Sequence, residues 1–261
     1  MEGKGCEFFF SRAKENSPSV PKLAAFRRPT EGTMVRDGII YAAILALLSF
    51  LAGSLGGWAW AAPEWVLAAF VLYFFRDPER AIPAAEGVVS PADGRIVELR
   101  QIEREGQRFW KISIFLSLFD VHVNRAPITG TVRSISYQPG RFLIASRPEA
   151  SLQNEQNTIT IEGERHRVTF KQIAGLLARR IVFRKKVGER VERGERVGLI
   201  KFGSRVDLFL PLELAPAVKV GDRVKAGSSI VAQPEIFTQQ SFGPASPAVL
   251  ETVPARPKAE E

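Results

Sequence analysis

The hydrophobic residues of this chain follow two patterns that meet near residue 75. From Ile39 to Phe75 the sequence is almost continuously apolar, and Glu64 is its only charged residue. The first part, Ile39–Leu55, is about as long as the shortest helix that crosses the hydrocarbon core of a bilayer. Gly56-Gly57 and Pro63 interrupt the apolar stretch, which predicts a membrane-associated helical hairpin over 39–75.

Arginines flank the apolar stretch on both sides. By the positive-inside rule, they place both ends of the hairpin on the cytoplasmic face of the membrane. Two other interpretations compete, a buried pair of core helices and a signal peptide cut near Ala59-Trp60-Ala61. The long polar leader and the apolar residues beyond that site argue against a signal peptide. The flanking arginines are Arg27, Arg28, Arg36, Arg76 and Arg80.

Beyond Arg76, short alternating apolar runs are separated by glycine and proline, which predicts a mainly β domain with few short helices. The motif V-G-x-R-V-x-x-G-x-x-[VI] occurs at 187–197 and again at 220–230, and a weaker P-x-x-G-x-[IV] motif occurs at 91–96 and 127–132. Two interleaved β-hairpin units of one barrel or sandwich produce this pattern. Lipoyl-type carrier domains share it, so the repeat predicts fold rather than chemistry.

The chain therefore divides into four predicted segments. They are a flexible basic leader (1–38), the apolar helical hairpin (39–75), a catalytic β domain (76–236) and a disordered tail (237–261).

Composition narrows the function classes. Lys and Arg total 36 against 28 Asp and Glu, and the net charge of +8 favours an anionic partner. With Cys6 as the single cysteine and only His122 and His166 as histidines, we expect no disulfide framework and no metal site. The phosphate-binding motifs GxxxxGK[ST] and GxGxxG are absent from the sequence. Nucleic acid is not an expected partner, because the basic residues are dispersed and the hairpin would be unexplained.

Three short motifs could carry chemistry. Asp93 stands in a Pro-Ala-Asp-Gly turn, and Asp120 and His122 lie two residues apart after an apolar strand. On a strand those two side chains would share a face, and the carboxylate could fix the imidazole tautomer. Gly203-Ser204 interrupts a strand-like run, where the serine hydroxyl could attack the preceding carbonyl. The alternatives are an ordinary turn, a structural histidine and a β-bulge.

In their order and spacing, these strings resemble the phosphatidylserine decarboxylase family in its short bacterial form, from about Tyr73 to Glu235. The matching strings are Ser-Pro-Ala-Asp-Gly at 90–94, Phe-Asp-Val-His-Val-Asn-Arg at 119–125, Pro-Gly at 139–140, Asn-Glu at 154–155, Gln-Ile-Ala-Gly at 172–175, Ala-Arg-Arg-Ile-Val at 178–182 and Lys-Phe-Gly-Ser-Arg-Val-Asp at 201–207.

The resemblance implies a proenzyme that cuts itself between Gly203 and Ser204 into a β chain (1–203) and an α chain (204–261). Ser204 would become a covalent pyruvoyl cofactor, which forms a Schiff base with the substrate amine and accepts electrons as CO₂ leaves. His122 would be the base for Ser204, oriented by Asp93, with Asp120 as a second carboxylate nearby. His122 is also the expected donor of the proton that replaces CO₂.

One residue departs from the family pattern. Longer members often carry a second histidine three residues after the first, where this chain has Arg125. His122 would then serve both self-cleavage and protonation, or Asp120 and Arg125 would share the work.

The resemblance also implies a substrate and a location. We expect an anionic phospholipid, phosphatidylserine, converted to phosphatidylethanolamine at the cytoplasmic face of the cell membrane, by an enzyme that could be a homo-oligomer. The alternatives are decarboxylation of an archaetidylserine-type lipid, and a non-enzymatic membrane-anchored β-barrel carrier or scaffold. Candidate ligands of the lipid phosphate or the bilayer surface are Arg141, Arg179, Arg180 and Arg205.

Overall fold

The computed structural model of the chain describes residues 33–104, 106–141, 143, 153–175, 180–201 and 204–234. Most of the predicted leader, the whole predicted tail and Gly203 lie outside these residues. The described part holds two helices, followed by a domain built from β-strands.

The apolar stretch forms a pair of helices, α1 (Thr33–Gly56) and α2 (Trp58–Phe74), separated by Gly57. The Ser49 hydroxyl of α1 donates a hydrogen bond to the Ala61 carbonyl of α2 over 2.9 Å, so the two helices pack together. Helix α1 begins before Ile39, where the hydrophobic pattern begins. Arg36, Asp37 and Gly38 separate the start of the helix from the long apolar run, so the hydropathy pattern misses the first six residues.

Large apolar side chains of both helices face outward. Leu47 is 60% exposed and Val66 is 71% exposed. A buried pair of core helices would cover such residues, so their exposure argues against that alternative and fits a membrane environment. Within the described residues, one helical segment, Arg36–Leu55, is long and apolar enough to cross a membrane, with a mean hydropathy of 2.2. The apolar part of α2, Ala61–Phe74, is shorter.

Fourteen strands follow the helices within the described residues. They are β1 Val88–Val89, β2 Gly94–Arg104, β3 Gln107–Leu116, β4 Val123–Arg125, β5 Gly130–Gln138, β6 Gln156–Glu162, β7 Arg167–Ala174, β8 Arg180–Phe183, β9 Arg190–Val191, β10 Arg196–Lys201, β11 Ser204–Pro211, β12 Leu214–Pro216, β13 Arg223–Val224 and β14 Ile230–Pro234. The largest sheet has the order β13-β2-β3-β11-β7-β6-β5-β9, and two smaller sheets have the orders β1-β14-β12 and β4-β10-β8.

The sheets confirm the predicted mainly β fold with two interleaved units. Strands β4–β10 form one unit, and they are inserted between β3 and β11 of the other unit, which contains β1–β3 and β11–β14. Each unit supplies half of the large sheet and one small sheet. The repeated motifs occupy equivalent places, because Gly94 pairs with Val224 at one sheet edge and Gly130 pairs with Val191 at the other.

Strand β11 runs through the middle of the large sheet and is buried almost throughout. Val206, Leu208 and Leu210 belong to the main hydrophobic core. Ser204 has the same strand parity, and alternation along a strand therefore directs its side chain to the core face. Arg205 and Asp207 lie on the opposite face.

Candidate active site

The candidate residues converge because β2 and β11 begin, and β3 and β7 end, along one side of the large sheet. We call this row of strand ends the site edge. Ser204, the first residue of β11, pairs with Leu116 at the end of β3 and with Ala174 at the end of β7. Strand β2 begins at this same edge, with Arg95 opposite Phe115. Neighbouring antiparallel strands run in opposite directions, so the segments that enter β2 and β11 meet the segment that leaves β3.

Ser204 is fully buried, at 0% exposure. Its Oγ has no hydrogen-bond partner among the residues that the structure describes. Buried hydroxyl groups are nearly always hydrogen-bonded, and leaving one unsatisfied costs about 1–3 kcal/mol. An unpartnered hydroxyl at the first residue of a central strand is therefore a candidate nucleophile.

His122 lies in the loop between β3 and β4, and its ring is held by the backbone. Nδ1 is 2.9 Å from the carbonyl oxygen of Asp120. Burial lowers the pKa of His122 to about 4, so the imidazole is neutral at pH 7. A carbonyl oxygen only accepts hydrogen bonds, so Nδ1 carries the proton and Nε2 carries the lone pair. This tautomer suits a general base.

Two further contacts hold His122 in place. The Phe74 ring of α2 packs on the imidazole, with ring centroids 4.3 Å apart, and both residues are 1% exposed. The backbone amide of Ile200 donates a hydrogen bond to the His122 carbonyl over 3.2 Å. Ile200 belongs to β10, the strand that leads towards Ser204. His122 is therefore attached to that strand and covered by the hairpin.

Asp120 is part of the same loop, but not in the way its spacing from His122 predicts. Strand β3 ends at Leu116, so Asp120 and His122 lie in a loop and not on a strand face. The Asp120 carboxylate accepts hydrogen bonds from the Ser117 amide and hydroxyl, at 2.8 and 2.7 Å. The carbonyl of Asp120 thus orients the imidazole, and not the Asp120 carboxylate or the Asp93 carboxylate that the family resemblance implies.

Asp93 lies beside the start of β2, in the turn that the sequence indicates. Its carboxylate accepts hydrogen bonds from Arg80 at 2.6 Å and from the Ala226 amide at 2.8 Å. Burial raises the pKa of Asp93, and these two donors oppose the rise. Gly94 has a φ of 150°, and a Cβ there would collide with the Phe115 carbonyl, so glycine lets the turn approach β3.

Several residues around the edge were not assigned a role from the sequence. Arg80 is the partner of Asp93. The amide of Asn154, from the matched string at 154–155, donates to the carbonyl of Ala174 over 2.7 Å, which fixes the loop beside the residue that pairs with Ser204. A family string located Asn154, but no local pattern indicates Arg80, because the 13 positions that separate it from Asp93 are mostly irregular backbone with no helical or strand period.

Two arginines considered earlier have structural roles. Arg125 is 5% exposed and donates to the Gly194 carbonyl at 3.0 Å and to Asp77 at 3.3 Å. Arg205 is 3% exposed, and its Nε donates to Asp207 over 2.6 Å. Both guanidinium groups bind inside the protein. Arg141 and Arg180 are exposed, and Arg179 lies outside the described residues.

The site fits a cofactor made from Ser204 itself. The hydroxyl is buried and unpartnered among the described residues, and it stands at a strand end. The residue that would lose its bond to Ser204, Gly203, lies outside the described residues.

Comparison with known proteins identifies the class of protein as a decarboxylase. The family model described as phosphatidylserine decarboxylase matches residues 67–232, which include the whole edge just described. A phosphatidylserine decarboxylase proenzyme of Solibacter usitatus is 52% identical over 200 residues, covering 77% of this chain and 96% of that protein. The proenzyme of Ralstonia pickettii is 44% identical over 204 residues, covering 77% and 95%. This chain belongs to the phosphatidylserine decarboxylase family.

Proposed function

We propose that this protein is a self-cleaving phosphatidylserine decarboxylase that makes phosphatidylethanolamine and CO₂. The observation that carries the proposal is the buried, unpartnered Ser204 hydroxyl at the sheet edge where a neutral His122 is held. The relatives named as proenzymes support processing into two chains.

Within the described part of the chain, Ser204 Oγ makes no hydrogen bond to His122, so self-cleavage would begin when the hydroxyl comes within reach of Nε2 and gives its proton to that atom. The oxygen attacks the carbonyl carbon of residue 203, the C–N bond to Ser204 breaks, and the nitrogen takes the proton, which leaves an ester. Loss of the Ser204 α-proton then breaks the Cβ–O bond and releases residue 203 as a carboxylate. Water adds to the dehydroalanine that remains and ammonia leaves, so the α chain begins with a pyruvoyl group.

The pyruvoyl group would supply a carbonyl that draws in the electron pair left when CO₂ departs. The residue of this chain that we assign to proton return is His122, whose ring is fixed by Asp120 and Phe74. Its Nε2 would first take the proton that the substrate ammonium group releases on binding, and would then give that proton to the substrate carbon that loses CO₂. We propose that Asp93 fixes the turn before β2 to Arg80 and to Ala226, in the segment that follows β13, and so shapes the edge around Ser204.

The fold explains how the two chains would stay together after cleavage. All strands from β11 to β14 would belong to the α chain, and β11 pairs with β3 on one side and β7 on the other. Strands β13 and β14 pair with β2 and β1. After cleavage, hydrogen bonds between strands of the α chain and strands of the β chain would therefore hold the two chains in the same sheets.

The mass of the denatured protein tests this proposal. We expect two chains that meet between Gly203 and Ser204, the smaller about 17 Da lighter than a free serine terminus requires, since the amine nitrogen is lost as ammonia. The same preparation should convert phosphatidylserine to phosphatidylethanolamine, as seen by lipid chromatography. An uncut chain that is active, or a cut chain that has a serine terminus, contradicts the mechanism.

We propose that the hairpin holds the enzyme at the cytoplasmic face of the cell membrane. Its outward apolar side chains and the net charge of +8 favour a bilayer that carries anionic lipid. Residues 37 and 76, near the two ends of the hairpin, contact the β domain directly, so the site edge would lie close to the lipid headgroups.

Aspartates in the middle of α1 should release the protein from membranes. In Leu47→Asp/Leu48→Asp, two exposed leucines become charged, at a cost of about 2.5–3.5 kcal/mol for each at a bilayer centre. We expect at least about tenfold weaker co-sedimentation with phosphatidylserine-containing vesicles. The matched control is Val220→Asp, which places a charge on an exposed valine of the β domain and should co-sediment normally.

A further inference from the structure

The two helices meet the β domain through a small group of residues that we call the hairpin base: Asp37, Gly38, Tyr41, Phe74 and Phe75. Asp37 accepts a hydrogen bond from the Lys201 ammonium over 3.1 Å. The same ammonium is 5.4 Å from the centre of the Tyr41 ring and 5.7 Å from that of Phe75. The side chain of Lys201 is only 11% exposed, so it lies in a pocket made by the hairpin base.

Close packing of the two helices builds this pocket. A Cβ at Gly38 would collide with the Phe75 side chain, so glycine at this position lets α1 approach the end of α2. The rings of Tyr41 and Phe75 are then in edge contact, with centroids 5.9 Å apart. The carboxylate and both rings favour a cation between them.

Lys201 occupies a particular place in the chain. It is the last residue of β10, and Ser204 is the first residue of β11. Only residues 202 and 203 separate the two, so the peptide bond before Ser204 follows within three residues of a strand end that contacts the hairpin base and adjoins a strand start held by β3 and β7. Attack by the serine hydroxyl on the preceding carbonyl needs both ends in register, since small displacements of reacting atoms are costly.

The hairpin base also contacts His122, the proposed general base. Phe74 packs on the His122 ring. The Tyr73 hydroxyl and the Arg76 guanidinium, beside the hairpin base, donate to the Phe119 carbonyl at 3.3 and 2.6 Å. Phe119 lies in the loop that carries His122. The same end of the hairpin therefore contacts two elements of the site. One is the loop that carries His122, and the other is β10, the strand that precedes the cleavage position.

We propose that the hairpin base is a positioning element for self-cleavage, and that the Asp37–Lys201 ion pair attaches the end of β10, which also pairs with β8 through Arg180, to the hairpin. This inference rests on the proposed cleavage before Ser204. Asp37 and Lys201 are positioning residues, because neither takes part in the bond changes. Self-cleavage then depends on a correctly packed hairpin and not on the β domain alone.

The test follows cleavage of the full-length chain after cell-free synthesis in the presence of phosphatidylserine-containing vesicles. Precursor and product chains are separated by gel electrophoresis over time. We expect Lys201→Glu and Asp37→Lys each to slow cleavage by about tenfold or more, because like charges then face each other. The charge swap Asp37→Lys/Lys201→Glu should cleave at least about threefold faster than either single variant, because the ion pair is restored, and slower than the wild type, because a carboxylate then faces the two rings.

A matched ion pair and a stability measurement separate positioning from folding. Glu86 and Arg165 are 3.0 Å apart on the surface, and Glu86→Lys should leave the cleavage rate unchanged. In a Ser204→Ala background, which we expect to stay uncut, the single variants should unfold within a few degrees of the parent. Normal cleavage of Lys201→Glu, or a swap variant as slow as the singles, overturns the inference. A wild-type chain that is never cut instead overturns the proposed function.

Discussion

Replacing Ser204 with alanine is expected to leave one uncut chain that has no decarboxylase activity. The variant removes the proposed nucleophile and with it the source of the pyruvoyl group. It should still fold, because the hydroxyl makes no hydrogen bond among the described residues and the Ala side chain is smaller. Losing a buried, unsatisfied group does not destabilise the protein and can stabilise it, by about 1 kcal/mol.

Intact mass and a lipid assay on the same sample check this prediction. Ser136→Ala is the matched control, since Ser136 is an exposed serine of β5, and that variant should be cut and active. A Ser204→Ala protein that is both cut and active would disprove the assignment. The thermal unfolding of the uncut chain shows whether lost activity reflects chemistry or a failure to fold.

Replacing His122 with asparagine is expected to slow self-cleavage by about 10²–10⁴-fold. The asparagine amide can still donate a hydrogen bond towards the Asp120 carbonyl, but no group replaces the Nε2 lone pair. The measurement is the rate at which the precursor disappears. His166→Asn is the control, because His166 lies in the turn between β6 and β7 and should not affect the rate. An unchanged rate for His122→Asn would exclude His122 as the base.

The pH dependence of cleavage provides a second check on His122. Burial lowers its pKa to about 4, so the imidazole remains neutral and able to accept a proton down to about pH 5. We therefore expect a cleavage rate that is flat from pH 8 to about pH 5 and falls as the pH approaches 4. A fall centred near pH 6.5, the ordinary histidine value, would show that His122 is hydrated and not covered by Phe74.

The fold was largely predictable from sequence, because its signals are local. A nearly uncharged stretch is enough to indicate apolar helices, and repeated turn motifs are enough to indicate repeated hairpins. The motifs indicate two interleaved units, but only the strand pairing shows that the first motif pairs with the last and that one unit is inserted inside the other. The start of α1 at Thr33 was not predictable in this way, since Arg36, Asp37 and Gly38 separate it from the apolar run.

The sequence indicated which residues belong to the candidate site, but not which residues they contact. Asp93, His122 and Ser204 stand in short strings that a single sequence displays. Their partners were not predictable, because no helical or strand period relates the residues that these contacts join. Arg80 binds Asp93, Phe74 covers His122, and Lys201 reaches Asp37 across 164 positions.

The sequence by itself determined an apolar hairpin before a repeated β domain, and a Gly-Ser pair beside a candidate acid–base histidine. Only the tertiary structure decided the burial, the hydrogen-bond partners and the pKa of those groups. The imidazole is held by the carbonyl of Asp120, and its pKa is low because the hairpin and the β domain close over it. Residue types and spacings reside in the sequence, whereas burial and its electrostatic effects exist only when distant segments pack together.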